Sequence, residues 1–419
     1  MSQPTRILLS LIFGLVIGIG LARLAPGAAA AGIPVAQPIG TAWLNALQMT
    51  IIPLVVSLLV TGIAATAEAV RAGRIAARAI GLILIVMSLS SVIASVLTPL
   101  FLDIVPMPAA SAQALRGAIT GSEPTTPPPP IAEFFTTLVP TNVVAAAANS
   151  AFLSLIVFTL LFAFALTRVE PEGRQTLTTF FKAMRDTVLV MIGWIIWVAP
   201  LGVFALAFVV GARAGSAAFG ALVHYMAIVS AVGVVIGLLS YPLAAIVGRA
   251  GLARFARAAL PSQAVAISTQ SSLASLPTML KGAETLAVPT ATAGVVLPLA
   301  VVMMRATGPA MNLAVAIYVA HWFGIDIGPA TMAAATAVAT LTSLGSVSLP
   351  GQVSFISAIA PIVVIFGAPV APLGLLVAVE TIPDIFRTLG NVTMDLSVTA
   401  AVSGRSRPAE PEDAPPADA

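Results

Sequence analysis

Hydrophobic runs of the length that crosses a bilayer, about 20 residues each, recur at 7–24, 42–66, 78–102, 142–167, 180–212 and 217–247. The pattern predicts six spanning helices before residue 258. Charge collects between them. Arg71, Arg74 and Arg78 follow the second run, Arg168, Arg174, Lys182 and Arg185 the fourth, and Arg249, Arg254 and Arg257 the sixth. The alternate stretches, 25–40 and 104–140, hold only Arg116 as a basic residue. Basic residues mark the cytoplasmic side, which places the Arg-rich stretches and the N-terminus there. The opening M-S-Q-P-T-R and the run behind it have the outline of a signal peptide, but further spans come after it, so the segment reads as a retained first helix.

After residue 257 the pattern changes. Apolar segments at 258–282 and 329–369 are each interrupted midway, by S-T-Q-S-S-L-A-S-L-P at 268–277 and by S-L-G-S-V-S-L-P-G at 343–351. Each is followed by one long hydrophobic stretch, 284–323 and 370–402. Two breaks with matched layout predict a pair of helical hairpins whose tips lie inside the membrane, an internal repeat. Irregular backbone at that depth is tolerated where it lines a cavity or is buried in protein. Helix N-termini at such tips present free N–H groups to an anion. The plainer alternative is two kinked, lipid-facing helices whose serines bond back to their own carbonyls.

The last stretch carries E-T-I-P-D-I-F-R-T-L-G-N-V-T-M-D at 380–395. At helical spacing, Glu380, Asp384, Arg387, Asn391 and Asp395 fall within about 80° of one another along about 22 Å of axis. Such a stripe in hydrocarbon costs several kcal/mol unless it faces a cavity, a ligand or itself, so it marks a functional site. A structural Asp384–Arg387 pair alone would leave Glu380, Asn391 and Asp395 without explanation.

Composition narrows the class. Hydrophobic residues make up 59% of the 419 positions and charged ones 8%, against about 25% charged in soluble proteins. The chain is an all-α polytopic membrane protein. A net charge of +3 without a clustered basic face argues against a nucleic-acid partner. Cysteine is absent, so no disulfide or thiolate metal site exists. His224 and His321 lie in different helices without metal-ligand spacing and read as structural, His321-Trp322 as an interface pair. The Pro-rich 123–130 reads as an extended surface loop, and the Pro/Ala/acidic tail 403–419 as disordered. An intramembrane aspartyl enzyme needs two carboxylates about 3 Å apart, whereas Asp384 and Asp395 are about 16 Å apart on one helix. A channel has no need of an Asp, Arg and Asn stripe suited to a zwitterion.

The chain resembles the dicarboxylate/amino acid:cation symporter family, the glutamate transporters and their prokaryotic homologues. The likeness runs through L-Q-M-T-I-I-P-L-V-V-S-L-L-V-T-G-I at 47–63, V-P-T-N-V-V-A-A-A-A-N at 139–149 and A-P-L-G-V-F-A-L at 199–206. It is most specific at D-I-F-R-T-L-G-N-V-T-M-D, which is similar to the family's D-x-x-R-T-x-x-N-V-x-x-D. The resemblance implies eight transmembrane helices plus two re-entrant hairpins with inverted repeats, a homotrimer in a cell inner membrane, and both termini cytoplasmic. It divides the chain into scaffold and trimerisation helices over 1–257, with the third and sixth expected to join the mobile part, and a transport domain over 258–402. The implied activity is symport of aspartate, glutamate or a C4-dicarboxylate with sodium or protons, by an elevator motion and without an enzymatic step or cofactor. By position, Asp384 would take the substrate ammonium, Arg387 its side-chain carboxylate, and Thr388 and Asn391 its remaining polar atoms. Ser271 and Ser272 would lie in the first tip and Ser348 in the second, whose gate comprises Ser346, Leu349, Pro350 and Gly351. Asp395, with Asn391, would hold a sodium ion.

Two departures bear on coupling. Where the family carries an Asn-Met-Asp-Gly-Thr break, this chain has Met304, Arg305, Ala306, Thr307 and Gly308. Oxygen ligands for a hard cation are missing there, and Arg305 would stand where a cation sits, facing Asp395 or Asp384, which implies fewer coupled sodium ions. Thr307, Gly308 and Pro309 predict that the helix still unwinds. Glu380 stands where close relatives have Asp, and as a buried carboxyl it is a candidate proton carrier. Pro383 is expected to leave the Val379 carbonyl free.

Overall fold

The structure is a computed structural model that describes residues 3–107, 112–113, 138–345 and 351–404. Among these residues every regular element is a helix. In chain order the main ones are α1 (Gln3–Leu24), α2 (Pro26–Gln48), α3 (Ile51–Ala72), α4 (Arg74–Ile104), α5 (Val143–Ala148), α6 (Phe152–Leu166), α7 (Pro171–Ala214) and α8 (Ala217–Leu238), the last followed by a short turn, Ser240–Pro242, and a π-helical turn, Leu243–Val247. The second half adds α9 (Leu252–Thr269), α10 (Ser272–Thr285), α11 (Thr290–Met303), α12 (Thr307–Phe323), α13 (Pro329–Gly345), α14 (Gly351–Ile365), α15 (Pro372–Leu376) and α16 (Thr381–Gly404). Six helical runs among the described residues are long and apolar enough to cross a membrane: Gln3–Leu24, Pro26–Val70, Arg74–Ile104, Pro171–Ala214, Ala217–Val247 and Thr290–Phe323. The α16 helix is set apart by Asp384, Arg387 and Asp395 within it.

Several boundaries differ from the hydropathy reading. The stretch 25–40 is helical, because Pro26 sits at a helix start, where its missing N–H costs nothing, and alanine, the best helix former, dominates the first turns. The α7 helix begins at Pro171, nine residues before the apolar run, so Arg174, Lys182 and Arg185 ride on its early turns instead of a loop. Long, unbranched charged side chains sustain a helix as well as leucine does. The fourth run is split at 149–151, where Ser150 adopts φ +54°. Trp322 is 1% exposed, which places it inside the bundle and corrects the reading of His321-Trp322 as an interface pair.

Small residues bring the N-terminal helices together. On α1, a Cβ at Gly14 would lie 2.6 Å from the Phe204 carbonyl oxygen, and one at Gly211 of α7 would lie 2.7 Å from that of Leu15. Without a hydrophobic force between helices in lipid, such close backbone approach supplies the packing energy. The α2 and α3 helices also pack on α7. The third and sixth runs do otherwise. The α4 helix lies against α11, α12, α13 and α16, and α8 lies against α12 and α16. A buried apolar core runs from Leu15 and Trp43 through Tyr225 to α12, every residue of which except His321 is buried.

The first interrupted segment folds back on itself. Arg254 Nε donates to the Thr285 carbonyl at 2.8 Å, and a Cβ at Gly282 would meet the Ala258 carbonyl, so residues equidistant from position 270 face one another. The turn is made by Gln270, left-handed at φ 51°, and by extended Ser271. The α13 and α14 helices also pack against each other, and both contact α3 and α12. Ser346, Ser348, Leu349 and Pro350, assigned to the second tip, lie outside the described residues, as do the Pro-rich stretch and the tail from 405.

Candidate substrate and coupling site

The polar stripe is one buried network. Arg387 lies at its centre, 6% exposed. Its Nη2 donates to Glu380 Oε1 at 2.6 Å, its Nη1 to Asn312 Oδ1 at 2.9 Å, and its Nε lies 3.5 Å from Asp384 Oδ1. Glu380, wholly buried, precedes the first residue of α16, yet its carbonyl accepts the Asp384 N–H at 2.8 Å, so the stripe keeps helical spacing. Its Oε2 accepts a hydrogen bond from the Tyr225 hydroxyl at 3.3 Å. Asn312 in turn donates to Ser343 Oγ of α13. Both prongs of the guanidinium are therefore held by the protein itself, by a carboxylate on one side and an amide on the other. The Val379 carbonyl accepts the Ile382 N–H at 3.2 Å, so Pro383 does not leave it free; a tightened first turn satisfies it.

The helix break beside the stripe falls at 304–306. Thr307, Gly308 and Pro309 do not unwind. They form the first turn of α12, where a proline needs no N–H partner. Thr307 docks this turn on α16: its N–H and its hydroxyl both donate to Asn391 Oδ1, at 3.0 and 2.8 Å, and the hydroxyl also lies 2.9 Å from the Arg387 carbonyl. Asn391 Oδ1 is thus engaged by the break. Met304 and Ala306 are buried. Arg305, half-buried, lies within electrostatic range of Asp384 and Arg387, so of the two acids expected to answer it, Asp384 is the one.

Asp395 stands apart. It is wholly buried, neither carboxylate oxygen has a hydrogen-bond partner among the described residues, and its helix neighbours Met394 and Val398 belong to a buried apolar cluster with Met304 and Ala306. No cluster of three or more His, Cys, Asp or Glu side chains suited to a metal occurs among the described residues. Thr388 is buried on the stripe. At the first tip, Ser271 caps α10 by accepting the Ala274 N–H, Ser272 is half-buried beside it, and Gln270 Nε2 donates to the Thr381 carbonyl at 3.2 Å. That bond seats the tip on the start of α16. Gly351 begins α14.

Sequence reasoning does not find Tyr225 and Asn312, although each carries a polar group within an apolar run, Tyr225 beside His224 and Asn312 alone, which inside a membrane is itself a signal. Beyond Tyr225 the contacts continue outward. Its ring meets Tyr318 edge-on at 5.3 Å, and the Tyr318 hydroxyl lies 3.0 Å from His224 Nδ1.

A helical bundle of bilayer-spanning length, closed around a buried charged stripe and a broken helix, defines a multi-pass membrane transporter. The chain belongs to the sodium:dicarboxylate symporter family, which it matches over residues 4–405. It is 27% identical over 383 residues to the proton/sodium-glutamate symport protein of Bacillus subtilis, covering 90% of this chain and 88% of that protein. It is 25% identical over 418 residues to the proton/glutamate-aspartate symporter of Escherichia coli, covering 93% and 90%. A C4-dicarboxylate transport protein of Rhizobium etli is 27% identical over 394 residues, covering 88% and 82%.

Proposed function

We propose that the chain is a secondary active symporter that carries a small anion, an acidic amino acid or a dicarboxylate, across a cell inner membrane together with a cation. The observation that carries this reading is the Glu380 carboxylate seated on Arg387 Nη2 at 2.6 Å. A guanidinium is the side chain best suited to a substrate carboxylate, and here the chain's own carboxylate holds that place. A substrate carboxylate must displace Glu380, and a displaced, buried Glu380 has to take up a proton or find another donor. Where Glu380 takes the proton, substrate and proton bind together, which is what symport requires. Ser271, Ser272 and Ser348 at the tips, with Thr388 and Asn391, would complete the substrate's shell.

Asp395 supplies the second coupling element. A buried carboxylate without a partner is costly, and a sodium ion or a proton would satisfy it. Asn391 is its neighbour one turn away, but with Oδ1 engaged by Thr307 it adds little to a cation there. With Met304 and Ala306 in the break, sodium coupling at that point is reduced. The overall arrangement we infer is a homotrimer with eight transmembrane helices and two hairpins per protomer and both termini cytoplasmic. Residues 258–402, joined by α4 and α8, would slide against a scaffold formed from the rest of 1–257. Ser346, Leu349, Pro350 and Gly351 would form the outer gate. The packing of α4 and α8 on the C-terminal helices supports that division.

The test is uptake of labelled aspartate and succinate into proteoliposomes under separately imposed sodium and proton gradients. Accumulation driven by at least one gradient is expected, and the Asp395→Asn variant should lose one of the wild type's cation dependences while still exchanging substrate. Equal, non-saturable entry with and without any gradient, and without countertransport, would instead make the protein a passive pore.

A further inference from the structure

Arg305 adds a charge to the site that the stripe alone does not contain. Thr307 fixes the break against α16 through Asn391 Oδ1 and the Arg387 carbonyl, and Arg305 lies two residues earlier, at most about 7 Å of chain away. On α16, Asp384 stands one turn before Arg387 and 3.5 Å from its Nε. The break so docked brings a second guanidinium toward Asp384, and the charges of both act on it, that of Arg387 on its own helix and that of Arg305 from the break. Around this point two cations, Arg305 and Arg387, face two anions, Glu380 and Asp384.

This balance bears on what the site accepts. A substrate ammonium needs an anion whose charge is not already answered. Brought to Asp384, it would meet two like charges in a dry site and gain one shared carboxylate. A substrate without an ammonium meets no such penalty. A guanidinium carries five N–H donors, more than one carboxylate engages, so Arg305 can hold Asp384 and a substrate carboxylate together.

We propose that Arg305 is a specificity-determining residue: by answering Asp384 where an amino group would otherwise sit, it makes the site select dicarboxylates that lack an ammonium over acidic amino acids. The proposal rests on the stripe being the substrate site of the symporter. Discrimination here comes from an unfavourable charge encounter as well as from attractive contacts, and wrongly charged analogues are rejected more strongly than those that differ by a methylene.

The experiment is competition between labelled succinate and labelled aspartate for uptake into proteoliposomes by wild type, Arg305→Met and Arg305→Lys. Wild type should favour succinate by about tenfold or more. Arg305→Met frees Asp384 for an ammonium and should invert the preference, while Arg305→Lys, which keeps the charge, should retain it. Aspartate preferred by wild type, or an unchanged ratio in Arg305→Met, would overturn the proposal and leave the symporter reading standing. Wild type that takes up neither anion under any gradient would overturn both. If Arg305→Met fails to fold, as judged by a broadened size-exclusion profile, Arg305→Gln carries the same test.

Discussion

Glu380 and Arg387 hold one proton's worth of information between them. Protonating Glu380 removes the carboxylate that competes for Nη2, so acid should favour the bound anion, and by reciprocity bound anion should favour the proton. Uptake by the wild type is therefore expected to rise as the external pH falls. In Glu380→Gln the competitor is gone at every pH. The amide still fills the same volume and can accept from Arg387 or Tyr225, so the fold should persist. Substrate affinity in this variant is expected to be high and flat with pH, with exchange of internal for external substrate intact and net uptake uncoupled from the proton gradient. Parallel pH profiles of uptake and exchange check it. A Glu380→Gln profile that slopes like the wild type's would remove Glu380 from coupling. Tyr225 reaches the same carboxylate from α8, and so links it to the Tyr318 and His224 contacts beyond.

At the scale of elements, the crossing of α8, α12 and α16 is what aims the stripe. Gly390 of α16 leaves no room for a side chain: a Cβ there would come 2.5 Å from Thr307 Cγ2 and 3.3 Å from the Gly237 Cα. Gly390→Ala should push the Thr307 side chain away from the Arg387 carbonyl and Asn391 Oδ1. Lost hydrogen bonds of that kind cost about 1–3 kcal/mol, read here as a fall in substrate affinity of roughly tenfold or more. Because the clashing atom is the threonine methyl, Gly390→Ala combined with Thr307→Ser should recover most of the affinity, whereas Gly20→Ala on α1, whose Cβ would meet nothing, should change none of it. A double variant no better than Gly390→Ala alone would show that the glycine acts elsewhere. Much of this arrangement is legible in the chain. The stripe at 380–395 comes from helical period, and the first hairpin from its Ser-rich interruption. What periodicity does not report is which side chain answers another across helices. Hence it reveals neither Tyr225 nor Asn312, leaves Arg305 between two acids, and carries the break, aligned at 304–308, on through Thr307, Gly308 and Pro309, which a helix start accommodates.

Across the whole molecule, the sliding proposed for the C-terminal half makes a demand on its boundary with α3. Leu59 of α3 and Ala358 of α14 line the same small cavity, with Val55, Leu58, Thr342 and Ser357. If α3 belongs to a stationary scaffold and α14 to a moving body, this contact exists in one state of the cycle and is lost in the other. The chain contains no cysteine, so a pair introduced by Leu59→Cys and Ala358→Cys can be bridged by a short thiol reagent without side reactions. Bridging should abolish uptake and exchange together, because both need the site to reach the two sides of the membrane. It should leave intact the rise in melting temperature that bound substrate produces, because binding to one state needs no motion. Each single-cysteine variant treated alike should transport normally, and reduction of a cleavable bridge should restore the double variant. A bridged protein that still transports at the untreated rate would mean that α3 and α14 travel as one body, and the division between scaffold and moving domain would have to be drawn elsewhere.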